Sequence, residues 1–185
     1  QTLTLTSVTT TSGNISVSNT AGILTSNLVT AGTAGDISLT TLTSGGIVLN
    51  GVITADGDDI TLTSAGSITE TAVAEISLLD SLTLTLDAPN SFIGATGTGD
   101  IEFDATTLTL ARADGVIYLT SLATGGTTVA DAQSTNSGDI VLIQTGNQAL
   151  DLTSVTTVSG NITVSNTGGI LTSNLVTAGT AGDIS

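Results

Sequence analysis

The chain has 185 residues, 39% hydrophobic, 2% aromatic and 9% charged, a length that suits one ordinary domain or a short run of repeats. Sixteen acids stand against one base, Arg112, for a formal net charge of -15, so a phosphate backbone is repelled and nucleic acid is excluded as a partner. Histidine, cysteine, methionine, tryptophan and lysine are absent, which removes the commonest general base, the thiolate nucleophile, the Schiff-base amine and the usual nitrogen and sulfur metal ligands.

High net charge with few aromatics is a signature of disorder, but 53 residues are Leu, Ile, Val or Phe, enough to close a core. No run approaches the ~18 consecutive apolar residues of a spanning helix, and neither a basic start nor an apolar leader segment follows Gln1. The absence of cysteine fits an exported chain as well as a cytosolic one.

The sequence repeats itself on two scales. A shift of 147 residues aligns Gln1 to Ser38 with Gln148 to Ser185, and only five of those 38 positions differ: Thr2/Ala149, Thr4/Asp151, Thr11/Val158, Ser16/Thr163 and Ala21/Gly168. The chain thus reads as one continuous unit, 1–185, with a long repeat over 1–147 and a second copy beginning at 148–185. Such identity implies a recent duplication, and the expectation is a longer array continuing both ways. A shorter marker, Gly followed by Asn or Asp and then Ile, starts at Gly13, Gly35, Gly57, Gly99, Gly138, Gly160 and Gly182. Counting the two wide gaps as doubled units predicts seven coils in 147 residues, about 21–22 residues each.

Along the chain the apolar residues alternate in short bursts: Ile15 and Val17; Ile37 and Leu39; Ile60 and Leu62; Leu82, Leu84 and Leu86; Ile101 and Phe103; Leu108 and Leu110; Ile140 and Leu142; Ile162 and Val164. Period two over three to five residues predicts half-buried strands, and Gly, Asn, Asp and Ser clusters between them predict corners. Further apolar pairs at Ile23-Leu24 and Leu28-Val29, and their counterparts in later units, predict three strands per unit. A unit of this size with three strands is one coil of a right-handed parallel β-helix, in which stacked coils close aliphatic ladders that one coil cannot bury. Thr, 39 of 185 residues, suits the outward strand positions. Tandem β-sandwich repeats are the competing fold, although they do not account for the recurring marker. A membrane β-barrel needs longer strands and aromatic girdles that one Tyr and two Phe cannot supply.

The elements GDISLTTLTSGGIVL, GDDITLTSAGSIT and SGNITVSNTGGILTSNLVTAGTAGDIS resemble the shaft repeats of filamentous-haemagglutinin-type bacterial surface proteins. The resemblance covers the whole chain and rests on its repeat grammar. It implies a right-handed parallel β-helix within a large secreted adhesin or fibre, many of which are exported by two-partner secretion. The Asn-Pro-Asn-type signature of the secretion domain is not in this sequence, whose only proline is Pro89, so the residues do not indicate an export route.

Candidate sites are few. Asp56, Asp58 and Asp59 form an acidic turn whose oxygen ligands suit Ca²⁺ as a cofactor; a solvated turn is the competing reading, since no bidentate Glu completes a calcium loop. Asp100, Glu102 and Asp104 alternate with Ile101 and Phe103, which predicts an outward acidic stripe. Asn14, Asp36, Asp100, Asp139, Asn161 and Asp183 belong to the repeated marker, and a structural role at the corners of stacked coils explains them. The sequons at Asn14 and Asn161 are short and common, so glycan is not expected there. Thr-x-Thr rows at Thr2 to Thr6, Thr61-Leu62-Thr63, Thr83-Leu84-Thr85 and Thr107-Leu108-Thr109 raise an ice-binding face, although the pattern is missing from Ile15 to Asn19 and from Ile140 to Gln144. Paired carboxylates raise polysaccharide cleavage, but the aromatic platforms that accompany it are nearly absent.

No catalytic residue emerges, and the expectation is a non-enzymatic shaft of an extracellular bacterial adhesin or fibre, at the cell surface or secreted, that projects a distal region or builds a biofilm matrix by lateral assembly. Its expected partners are copies of itself and an unidentified receptor, and it is not expected to span a membrane.

Overall fold

The computed structural model describes residues 1–71 and 79–185, and all of its regular structure is β. Among the described residues no helix is long and apolar enough to cross a membrane. The first coil is three strands, Leu3–Leu5, Val8–Ser12 and Ile15–Ala21, which form what we call the first, second and third flats. The next two coils repeat them as Leu24–Ser26, Val29–Thr33 and Ile37–Ser44, then Ile47–Leu49, Ile53–Ala55 and Asp59–Thr63. These strands pair in parallel throughout, so the chain is a parallel β-solenoid in which each coil hydrogen-bonds to the one before and after it.

Period-two alternation produces this shape directly, because inward residues of each flat fall on inward residues of the next coil. On the first flat a single ladder takes one residue from each coil: Leu3, Leu24, Ile47, Ile68, Ile93, Ile117, Ile140, Ile162 and Ile184. On the third, Ile15 is followed by Ile37, Ile60, Leu84, Leu108, Val129 and Leu152. Ile47, Leu49, Ile60, Leu84 and Ile93 are completely buried, and each such side chain contributes about 1.5–3 kcal/mol by leaving water. The corner between third and first flats needs glycine: Gly22 and Gly45 have φ of 97° and 93°, and a Cβ on Gly45 would collide with the Gly22 carbonyl group.

Two long strands, Leu79–Ala88 and Ile101–Ala113, run through the second flat into the third. Here the expected inward positions of Leu82 and Leu110 are corrected. Leu82 is 48% exposed because two successive outward residues, Leu82 and Thr83, turn the corner there. Leu110 faces outward because the register shifts beside Leu84/Thr85, so that Thr85 pairs with Leu110 and Leu86 with Ala111. From Ile117 onward the first and second flats fuse into one strand per coil, Ile117–Ser121, Ile140–Gln144 and Ile162–Asn166. The third flat of the last two coils becomes the long strands Leu150–Thr157 and Leu171–Thr177.

The coil count also differs from expectation. Seven steps of the first-flat ladder carry Leu3 to Ile162, whereas one sequence repeat carries Leu3 only to Leu150. The repeat therefore falls short of seven coils by the stretch from Leu150 to Ile162 and spans about six and a half. The difference arises at the wide gaps between markers. The steps from Ile68 to Ile93 and from Ile93 to Ile117 are the two longest in the ladder, the second lengthened by the segment 94–100.

The core is not purely aliphatic. Thr41 donates to the Gly45 carbonyl at 2.9 Å and lies 3.3 Å from the Ser64 hydroxyl, while Ser121 and Thr127 pair at 2.6 Å. Ser26 sits between Leu5 and Leu49 in its ladder, completely buried, with its hydroxyl unpartnered. Replacing it removes a desolvation cost of about 1–3 kcal/mol. Ser26→Ala is thus expected to leave stability unchanged or raise it, whereas Leu49→Ala in the next coil should lose about 2–5 kcal/mol; chemical denaturation of the two variants measures the contrast.

Candidate functional site

Stacking brings the marker residues into columns along the corners. On the third flat, the Asp36 backbone N–H donates to Asn14 Oδ1 at 3.0 Å and Asn14 Nδ2 donates to Asp36 Oδ2 at 3.1 Å. Thr83 Oγ1 then donates to Asp59 Oδ1 at 2.7 Å in the same column. The same device recurs at the other end, where Asn161 N–H donates to Asp139 Oδ1 at 2.7 Å and Asp183 N–H to Asn161 Oδ1 at 2.9 Å. Where amide alternates with carboxylate, as at Asn14 and Asp36 or at Asp139 and Asn161, the side chain accepts from the next coil's backbone without placing like charges in contact, whereas Asp36 and Asp59 are successive carboxylates in their column. Asp100 belongs to a different arrangement: its carboxylate accepts from the Thr120 hydroxyl.

The three members of the acidic turn have different partners. Asp56 and Gly57 form the turn, which the Asp58 N–H closes on the Ala55 carbonyl at 3.1 Å. Asp59 is committed to Thr83, while Asp56 acts on Asp80, together with Asp104. Among the described residues no three acids are gathered into a group that could hold a metal ion. The register also creates a rung of like charges where Asp80 and Asp104 are paired directly on adjacent coils. Burial pushes the Asp80 carboxyl above its ordinary value of 3.8, and repulsion from Asp104 and Asp56 adds to it.

The lone basic side chain is paired with a carboxylate. Arg112 Nε and one terminal nitrogen donate to the two carboxylate oxygens of Asp87 at 2.9 and 2.8 Å, a bidentate pair between coils. Beside it Gln133 Nε2 donates to Asp131 at 2.6 Å. The guanidinium holds its proton more tightly through the hydrogen bond to Asp87 and through that carboxylate's charge, against a smaller opposing effect of burial.

The outward Thr ranks are interrupted. One column on the third flat runs Ser16, Ser38, Thr61 and Thr85 and then meets Leu110. Its neighbour runs Ser18, Thr40 and Thr63 and then meets Asp87 and Arg112.

Sequence reasoning missed a groove of 280 Å³ on the fused flat, lined by Ala95, Asp100, Tyr118, Val141 and Ile143 under the segment 94–100. Its signal was present in IVLIQ, Ile140–Gln144, where outward Val141 and Ile143 replace the polar residues that alternation leads one to expect. The segment 94–100 is braced by Ala95 N–H donating to the Gly99 carbonyl at 2.6 Å, with Gly94 and Gly97 at positive φ. Burial raises the Tyr118 phenol above its ordinary 10.0, with a further push from the Asp139 carboxylate. Chemically the groove offers an apolar floor and a carboxylate acceptor, and its lining includes no nucleophile paired with a base.

Two pH experiments follow from these environments. For Asp80 the folded value is raised, so its contribution to stability is present below 3.8 and lost as pH rises through the folded value. Asp80→Asn should therefore melt higher than the parent at pH 7, with the gap closing by about pH 3.5; thermal unfolding at both pH values checks it. Tyr118 is the only tyrosine, so the absorbance change on phenolate formation reads it alone. Its midpoint should lie above 10.0 in the native protein and return to that value in denaturant, and the neutral phenol's stabilisation is lost as pH rises through the native midpoint.

Comparison of the chain with protein-family models, with curated proteins and with solved structures finds no match.

Proposed function

We propose that this chain is a structural shaft segment of a long extracellular bacterial fibre or adhesin, acting by projection and by lateral assembly with copies of itself. The observation that supports the reading most is the continuous first-flat ladder from Leu3 to Ile184, combined with the near-identical restart of the sequence at Gln148. A rod built this way grows by adding coils, each contributing the same core and the same backbone pairing, so length is free to vary without redesign. The surface fits that role: outward positions are mainly Ser, Thr and acids, and 16 acids with one paired base give a rod that repels its neighbours at low ionic strength. Cations that screen or bridge the carboxylates bring rods together.

Immunogold labelling of intact cells of the source organism, with antibody raised against this chain, tests the location. Gold should lie along surface filaments, and label seen only after lysis would overturn the proposal. For assembly, light scattering of the purified chain should rise on adding millimolar Ca²⁺ and fall again with chelator. Unchanged scattering would remove cation-driven bundling from the reading.

A further inference from the structure

We infer that successive copies of the long repeat exchange the two sides of the rod, so that one surface is displayed alternately on opposite sides, about 31 Å apart along the axis at the strand spacing of about 4.8 Å. The ladders carry this inference. Strand Ile15–Ala21 lies on the third flat, paired with Ile37–Ser44. Its counterpart in the next copy, Ile162–Asn166, lies instead on the fused first and second flats, stacked on Ile140–Gln144 and through it on Ile117–Ser121. The exchange is reciprocal. Leu3–Leu5 begins the first flat, whereas its counterpart within Leu150–Thr157 pairs with Thr127–Val129, which stands on the third flat through Thr107 and Leu108. Likewise Val8 heads the second flat, and its counterpart Val155 stacks on Ala132 and Ala111 of the third.

Both exchanges correspond to the same shortfall. The stretch from Leu150 to Ile162, which the repeat lacks against seven coils, is the counterpart of the stretch from Leu3 to Ile15, which crosses from the first flat to the third. Half a closed contour lies across the rod from its start, and six and a half strand spacings give the axial offset. The local fold survives the move. Leu3 pairs with Leu24, and their counterparts Leu150 and Leu171 pair likewise; Ile15 pairs with Ile37, and their counterparts Ile162 and Ile184 form a bridge. Ala34 and its counterpart Ala181 even share a left-handed backbone, at φ of 58° and 69°. A flat is thus set by its neighbours in the stack and not by its own sequence, and near-identical stretches fit either side. Two objects that recognise the shared surface are held on opposite sides, and two full repeats are needed before the display returns to its starting side. The exchange concerns register alone and goes beyond the shaft reading, so it stands or falls independently of where the protein is located.

The chain has no cysteine, which permits clean pairwise spin labelling. Outward Thr4, Ser16 and Thr163 are the sites, where Thr163 is the counterpart of Ser16 but shares its side with Thr4. Double electron–electron resonance on Thr4→Cys/Thr163→Cys should give seven spacings, about 34 Å, and Ser16→Cys/Thr163→Cys should give a longer distance across the rod. The same comparison one coil along, Thr25→Cys against Ser38→Cys with Thr163→Cys, repeats the test at independent sites. If the Ser16 or Ser38 distance is equal to or shorter than its partner's, successive copies lie in register and the inference is overturned.

Discussion

The contact on which the structure depends is an aliphatic side chain stacked on its like one strand spacing away, as Ile47 stacks between Leu24 and Ile68. Backbone pairing fixes that spacing, and the spacing decides which side chains tolerate being neighbours to themselves. Leu and Ile do so well inside, because branched aliphatics fill the interval without leaving a void. Ser and Thr do so outside, where hydroxyls meet water. Corners admit glycine over glycine, as at Gly22 and Gly45, because a Cβ on Gly45 would strike the Gly22 backbone. Much of the unusual composition follows from this one constraint.

Charge is where self-stacking is costly, and the molecule answers it in two ways. At the marker corners amide alternates with carboxylate, so that Asn14 and Asp36, or Asp139 and Asn161, share hydrogen bonds. At Asp87 the only basic side chain is placed one coil above. At Asp80 and Asp104 two carboxylates meet with neither device, and the repulsion adds to burial in raising the Asp80 carboxyl.

The solenoid was legible because its cause is local. Alternation at Ile37 and Leu39 or at Ile60 and Leu62 marks a half-buried strand wherever it is placed, and the Gly-Asn/Asp-Ile marker signals the return of the chain. Register was not legible, since it accumulates from every coil. Leu110 lies outward because of a bulge against the neighbouring coil, and the phase of Ile162 is set by long steps near Ile93 that no property of Ile162 records. For the same reason the commitment of Asp59 to Thr83, and the meeting of Asp80 with Asp104, were hidden: each depends on which residues lie one coil above or below. The groove beside Tyr118 was half visible, in the unbroken apolar run within Ile140–Gln144, while its lip came from a segment distant in sequence.

The pairing of Arg112 with Asp87 has a consequence for resistance to proteolysis. Proteases that cleave after basic residues have one bond to attack in the whole chain, between Arg112 and Ala113. That bond lies inside the strand Ile101–Ala113, hydrogen-bonded to a coil on each side, with Ala113 wholly buried and the recognised guanidinium held by a carboxylate. A protease must bind its substrate as an extended, unpaired strand, so digestion requires the solenoid to open first. The composition that leaves the surface almost without cations therefore also leaves trypsin-like digestion no accessible starting point.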